Sequence, residues 1–186
     1  KWIFIPFVIF YYAAITNARV FSEALHISLD GDMTNIDVSR PNQDENDRVA
    51  KLLESVGITG GEPFILLSPY SSNLERDWTR ENIEKFIKHM QEKYDFPVVI
   101  AGTSKGDNDP LLDMPRNLLN QTSLMEMVSL IEKSQCLICT DSGPMHIAGA
   151  INKLVIPIFN KDLPSRWAPK HNCIFINHET MGSAAR

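Results

Sequence analysis

The chain has 186 residues, enough for one substantial domain and an additional segment. Its 44% hydrophobic and 22% charged residues exclude a disordered chain, and a formal net charge of −5 with no basic stripe argues against nucleic acid as the principal partner. Three cysteines, Cys136, Cys139 and Cys173, make no disulfide framework and fit a reducing compartment.

Trp2 to Ile15 is strongly apolar but shorter than the roughly 20 residues needed to span a bilayer. It reads as a core element or a cover for a sheet edge, with membrane-surface contact and a remnant signal segment as alternatives. A start at Lys1-Trp2, without an initiating methionine, is expected of a piece of something longer. Ala18 to Asn42 is weakly patterned, with short alternations such as His26 to Leu29 and a polar turn at Asp30-Gly31-Asp32.

Asp44 to Val56 is predicted helical, with Val49, Leu52, Leu53 and Val56 on one face and Gly57 as its stop. Gly60-Gly61-Glu62-Pro63 reads as a linker, which places a boundary between residues 1–60 and 61–186. Beyond it strands and helices alternate. Phe64 to Leu67 is a compact apolar strand, and Thr79 caps a helix to about Tyr94 with Ile83, Phe86, Ile87 and Met90 inward. Pro97 to Ala101 is a second strand, followed by a loop from Gly102 to Arg116. Ser123 with Glu126 forms a capping box for a helix through Lys133. Further strands are predicted at 136–139, 154–159 and 173–176, and a short helix at 145–151. Apolar strands separated by helices predict an α/β fold, a parallel sheet covered on both faces.

Thr140-Asp141-Ser142-Gly143-Pro144-Met145-His146-Ile147-Ala148-Gly149-Ala150 carries the strongest chemical signal. A buried strand ends in a polar turn and a small-residue helix begins at once; the dipole and free N–H groups of such a helix attract an anion. Asp141 can accept from sugar hydroxyls, Ser142 and the N–H groups around Gly143 can hold a diphosphate, and His146 can donate to the same group. The alternatives are a structural histidine and a turn or capping aspartate. A second turn, Ser68 to Trp78, offers the hydroxyls of Ser71 and Ser72 and the cation of Arg76, a phosphate-holding set; alone it would equally read as a solvated loop with Trp78 in the core. A parallel sheet brings both turns to its carboxyl edge. Cys136-x-x-Cys139 has zinc-like spacing but lies in a strand, where residues three apart face opposite ways, so neither a metal site nor a cofactor is expected. A nucleophile elbow, a dinucleotide fingerprint and a P-loop are all missing from the sequence.

From about Phe64 to Ile176 the chain resembles the C-terminal, nucleotide-sugar-binding half of the lipopolysaccharide heptosyltransferases, a two-domain GT-B family of Rossmann-like halves. Asp141 to His146 with Ile147 to Ala150 resembles the family signature, and Pro69 to Ser72 with Arg76 and Trp78 its other phosphate loop. Thr122-Ser123-Leu124 resembles the nucleotide-contacting turn. The resemblance implies transfer, with inversion, of heptose from ADP-heptose to the lipopolysaccharide inner core. It gives Ser71 and Ser72 a diphosphate role, with Arg76 in place of the usual lysine. It sets Thr122 near adenine, Asp141 at sugar hydroxyls, and Ser142, Gly143 and His146 around the diphosphate. Asp141, Arg76 and His146 become the candidate catalytic residues. A cytoplasmic enzyme, peripheral at the inner face of the inner membrane, is the implied setting.

The resemblance has gaps. The family's general base, an aspartate in a glycine-containing N-terminal loop, has no counterpart here, and neither Asp30 nor Asp32 takes its role. The family's ribose-binding acid has Asp107 as its nearest candidate. The chain is therefore expected to be an incomplete enzyme by itself. The alternatives are a glycosyltransferase using another nucleotide sugar and a non-catalytic sugar-nucleotide-binding or interaction module.

Overall fold

The computed structural model describes residues 40–160 and 162–177. The apolar stretch 2–15, the alternation at 26–29, and Asp30 and Asp32 lie outside the described residues.

Six parallel strands form one sheet: β1 (Ile65–Ser68), β2 (Val98–Gly102), β3 (Asn117–Leu119), β4 (Cys136–Thr140), β5 (Val155–Phe159) and β6 (Ile176–Asn177), in the order β3-β2-β1-β4-β5-β6. The helices are α1 (Gln43–Ser55), α2 (Arg80–Tyr94), α3 (Leu124–Lys133), α4 (Gly143–Ala150) and the single turn α5 (Pro164–Trp167). The expected parallel α/β sheet with helices on both faces is what the chain forms.

Period-2 alternation within the strands builds two cores. Phe64, Leu66, Val99, Leu137 and Cys139 face one side, where α1, α3 and α4 bring Val49, Leu53, Leu130, Ile131, Met145 and Ala148. Ile65, Leu67, Ile100, Cys136 and Ile138 face the other, against Ile83, Phe86, Ile87 and Met90 of α2 and Leu111 and Met114 of the following loop. Cys136 and Cys139 thus lie in opposite cores, as their spacing predicts. Burial pushes both thiols up, Cys139 the further.

Local signals set the helix ends. Asn42 and Glu45 form a capping box on α1, and Gly57, at φ 82°, turns the chain out of it. Thr79 Oγ1 accepts from Asn82 N at 3.3 Å to start α2. Ser123 and Glu126 complete the predicted box on α3: Glu126 N donates to Ser123 Oγ at 3.3 Å, and Ser123 N to Glu126 Oε2 at 2.6 Å. α1 lies along α3, tied by the Arg48 to Glu126 ion pair at 2.7 Å and by Ser129 Oγ donating to Asn46 Oδ1 at 2.6 Å.

Two strands differ from the sequence reading. β3, for which the sequence reading has no strand, follows directly on the segment read as loop, between Arg116 and Asn120, both with positive φ (54° and 61°). Three residues between two left-handed turns carry no measurable period. The last strand pairs at Ile176–Asn177, and Cys173 makes only an isolated bridge to Val155.

At the carboxyl end of β2, Gly102 has φ 134°, and a Cβ there would stand 3.3 Å from Ser68 Oγ. Gly102→Ala is therefore expected to lower the unfolding free energy by about 1–3 kcal/mol through backbone strain. Urea denaturation checks this; an unchanged midpoint would refute it.

Candidate functional site: a crevice at the carboxyl edge of the sheet

From β1 the chain crosses to β2, and from β4 to β5 on the other side, so the order reverses between the neighbours β1 and β4. Open α/β sheets bind ligands at such a switch point. A crevice of about 1020 Å³ opens there. Ser71, Ser72, Arg76, Thr122, Asp141, Ser142, Gly143 and His146 all line it. So do Tyr70, read as part of the phosphate loop but given no role, and residues the sequence reading did not place at the site: Gly102, Thr103, Ser104, Lys105 and Trp167.

The turn after β1 is held from within. Ser71 N donates to Asp77 Oδ1 at 2.7 Å, Trp78 N to Pro69 O at 3.1 Å, and Asn73 caps a one-turn 3-10 helix, Leu74–Arg76. Ser71 Oγ donates to Asn73 O at 2.8 Å and accepts from Asn73 N at 3.0 Å, so this hydroxyl shapes the turn. Ser72 is exposed at the tip. Trp78 packs edge-on against Phe86, ring centroids 5.9 Å apart, and so anchors the turn in the core.

The turn after β4 is buried. Asp141 is 6% exposed and Thr140 fully buried. Ser142 is the N-cap of α4, but its hydroxyl donates back to Thr140 O at 3.2 Å and makes no side-chain cap. No side-chain oxygen therefore caps the start of α4; Pro144 has no N–H and Met145 N donates to Ser142 O at 3.1 Å, so Gly143 N is the first-turn donor that suits an anion.

Arg76 joins the two turns. Its Nη1 donates to Asp141 O at 3.3 Å and lies 3.7 Å from Asp141 Oδ2, and its Nη2 is 2.8 Å from Asp162 Oδ2. Burial raises the Asp141 carboxyl above the ordinary carboxylate range; Arg76 pulls it down and Asp162 pushes it up. Asn160 Nδ2 reaches Glu75 O and Arg76 O, both at 3.4 Å, fastening the segment after β5 to the 3-10 turn.

Lys105 joins the turn after β1 to the loop after β2. Its Nζ is 2.7 Å from Asp77 Oδ2, donates to Ser71 O, and stands 5.3 Å from the Tyr70 ring centroid. Beneath it Asp109 accepts from Tyr70 Oη at 2.8 Å, Lys105 N at 2.7 Å and Leu111 N at 2.8 Å. Burial pushes the Asp109 carboxyl up, but those three hydrogen bonds outweigh it and hold it below the usual range. Burial and the Asp109 bond together push the Tyr70 phenol up. Asp107 is exposed and outside the crevice lining; Asp109, two residues on, is buried behind the lining residues Tyr70 and Lys105 and is likewise not part of the lining. A buried acid bonded to a tyrosine 39 residues away has no local pattern by which the sequence reveals it.

The lining also has apolar members, Leu124, Met127, Ile147 and Trp167, and the polar Thr122 and Ser123. Such a surface accepts a flat ring, and Thr122 and Ser123 supply polar edges. Among the described residues no group of three or more His, Cys, Asp or Glu side chains is placed to hold a metal ion.

A parallel sheet with helices on both faces and with a helix start, a cation and a buried carboxylate gathered at its switch point defines a Rossmann-like α/β domain. The chain belongs to glycosyltransferase family 9 (heptosyltransferase), whose model matches residues 10–184. It is 27% identical over 116 residues to the lipopolysaccharide core heptosyltransferase OpsX of Haemophilus influenzae, covering 58% of this chain and 33% of that protein. Its fold is similar to that of a family 9 glycosyl transferase from Veillonella parvula (TM-score 0.72, 16% identity, 90% of this chain and 50% of that one). It is also similar to that of the ADP-heptose LPS heptosyltransferase II of Escherichia coli (TM-score 0.60, 20% identity, 79% and 48%). The chain spans about a third of the length of the curated relatives it matches.

His146, 6% exposed, is lowered by burial from its ordinary 6.5 to about 4. It is a neutral imidazole at neutral pH and adds no positive charge to the crevice. The fold favours the deprotonated ring, so its contribution is fully present above pH 6.5 and is lost as pH falls towards 4. A loss of up to about 3 kcal/mol of stability is expected across that window, and His146→Gln removes that part of the pH dependence. Urea denaturation at pH 7 and pH 4.5 checks this, and equal pH dependence in the variant and the parent chain would refute it.

Proposed function

We propose that this chain is the donor-binding part of a heptosyltransferase that transfers heptose from ADP-heptose to a hydroxyl of the lipopolysaccharide inner core. Residues 61–186 form its nucleotide-sugar domain, with α1 laid over the sheet. The observation that carries the reading is the convergence of Arg76, the uncapped start of α4 and buried Asp141 on one crevice. Family membership supports the glycosyl-transfer chemistry. The name of the similar E. coli enzyme supports the donor, and that of OpsX the acceptor.

In this reading adenine lies among Thr122, Leu124, Met127 and Trp167. The diphosphate meets Ser72, Arg76 and Gly143 N at the start of α4, with the Ser71 backbone and Lys105 fixing the turn that carries Arg76. Asp141 accepts from sugar hydroxyls. An acceptor oxygen forms its bond to the anomeric carbon as the bond to the diphosphate oxygen breaks, inverting that centre. The leaving diphosphate gains negative charge, which oriented N–H dipoles and a guanidinium stabilise at no cost of reorganisation. His146, neutral, donates a hydrogen bond rather than charge. The acceptor's proton is assigned to none of the described residues. A cytoplasmic enzyme at the inner face of the inner membrane fits a lipopolysaccharide-core acceptor; among the described residues no helix is long and apolar enough to cross a membrane.

Calorimetric titration with ADP, ADP-heptose, UDP and UDP-glucose tests the reading. The adenine pair is expected to bind preferentially, tighter with heptose attached. Arg76→Ala is expected to weaken both adenine ligands about 10- to 100-fold, the loss of a charge-assisted hydrogen bond. Asp141→Ala is expected to cut the preference for ADP-heptose over ADP about 10-fold. Preference for the uridine pair would make this a transferase of another nucleotide sugar. Equal binding by both variants and the parent chain would sink the assignments.

A further inference from the structure

The three nitrogens of the Arg76 guanidinium are in three different situations. Nη1 is committed to Asp141, at 3.3 Å from its carbonyl and 3.7 Å from Oδ2. Nη2 is 2.8 Å from Asp162 Oδ2. Nε is buried and has no hydrogen-bond partner among the described residues. Nε and Nη2 together form one edge of the guanidinium fork, a seat for the paired oxygens of a carboxylate or phosphate. Asp162 holds one corner of that edge and no described group holds the other.

Asp162 reaches this edge from outside the crevice. It is absent from the lining, its side chain is 31% exposed, and it follows β5 just after Asn160, which fastens to the backbone of Glu75 and Arg76. Around one guanidinium there are thus two carboxylates, Asp141 and Asp162. Lys105, the other cation of the lining, is paired with Asp77 at 2.7 Å. The charge surrounding the one fork aimed at a phosphate is therefore negative before any anion arrives.

We propose that Asp162 sets the affinity of the donor site: its carboxylate holds the Nη2 corner of Arg76 and gives that corner up to a phosphate oxygen of a nucleoside diphosphate. The inference rests on the nucleotide-sugar reading of the crevice. Asp162 keeps Arg76 oriented while the site is empty. It also competes with the product diphosphate, returning to Nη2 as the nucleotide leaves. Asp141, committed to Nη1, keeps its contact throughout.

The test is calorimetric titration of inorganic pyrophosphate, ADP, UDP and ADP-heptose into the parent chain, Asp162→Asn, Arg76→Met and the double variant. Asp162→Asn is nearly isosteric and removes only the charge. It is expected to bind pyrophosphate and ADP roughly 3- to 10-fold more tightly than the parent chain, with the gain absent in the Arg76→Met background. Unchanged or weaker pyrophosphate binding by Asp162→Asn, or none by either chain, overturns the proposal. A loss confined to ADP-heptose also overturns it and makes Asp162 a reader of sugar hydroxyls. If ADP binds no better than UDP, the adenine-nucleotide reading fails, while the pyrophosphate comparison still decides on Asp162.

Discussion

The parallel pairing of Ile65–Ser68 with Cys136–Thr140 is the constraint on which the site depends. Ser68 registers with Cys139, so the turns after these two strands start side by side. The chain then leaves β1 for α2 on one face and leaves β4 for α4 on the opposite face. Two neighbouring turns that diverge to opposite faces leave a cleft between them, which is why sheets of this topology bind at the switch point. The juxtaposition of Arg76 and Asp141 follows from this divergence. Arg76 points back across the cleft from one turn, and Asp141 and the start of α4 face it from the other.

Taking charge out of water is costly unless each group is paired, and the crevice meets that cost group by group. Arg76 faces Asp141 and Asp162, and Lys105 faces Asp77. Asp109, buried behind Tyr70 and Lys105, collects three hydrogen bonds that keep it ionised despite burial. His146 follows the other course and stays neutral. The crevice is therefore not a basic patch. It is a set of ion pairs in which carboxylates outnumber cations, with one cation edge and one helix end turned inwards.

Elements with local signals were legible in the sequence. Thr79, Ser123 with Glu126, and Gly57 are capping or stop residues read one turn at a time, and the helices they bound lie within a residue or two of expectation. Buried apolar runs revealed β1, β2, β4 and β5, and the placement of Cys136 and Cys139 in opposite cores follows from strand geometry alone. The location of the site was legible for the same reason: two polar turns at the ends of apolar strands meet when the strands are parallel. What the sequence hid is set by distant contacts. Lys105 belongs to the site because Gly102 turns the chain at φ 134° and Asp77, on the turn after β1, pairs with it. Trp167 enters on a single helical turn started by Pro164, too short for a period. Ser71 read as a phosphate ligand, yet its hydroxyl is engaged on both sides by Asn73, which leaves shaping the turn as its visible work.

The choice of arginine at position 76 ties these threads together. A lysine presents one ammonium that can be aimed at one anion cluster, whereas a guanidinium presents separate N–H directions in a rigid plane. Here those directions are divided: one towards Asp141 on the neighbouring turn, one towards Asp162 beyond β5, and one, on Nε, with no partner among the described residues. The same side chain can therefore stitch the two turns of the crevice together and still offer an edge to an incoming anion. A lysine there could do either, but its single ammonium would have to leave one to do the other. The structural role of Arg76 and the binding role proposed for it are then two uses of one planar fork. Asp162 stands on the edge where those two uses meet.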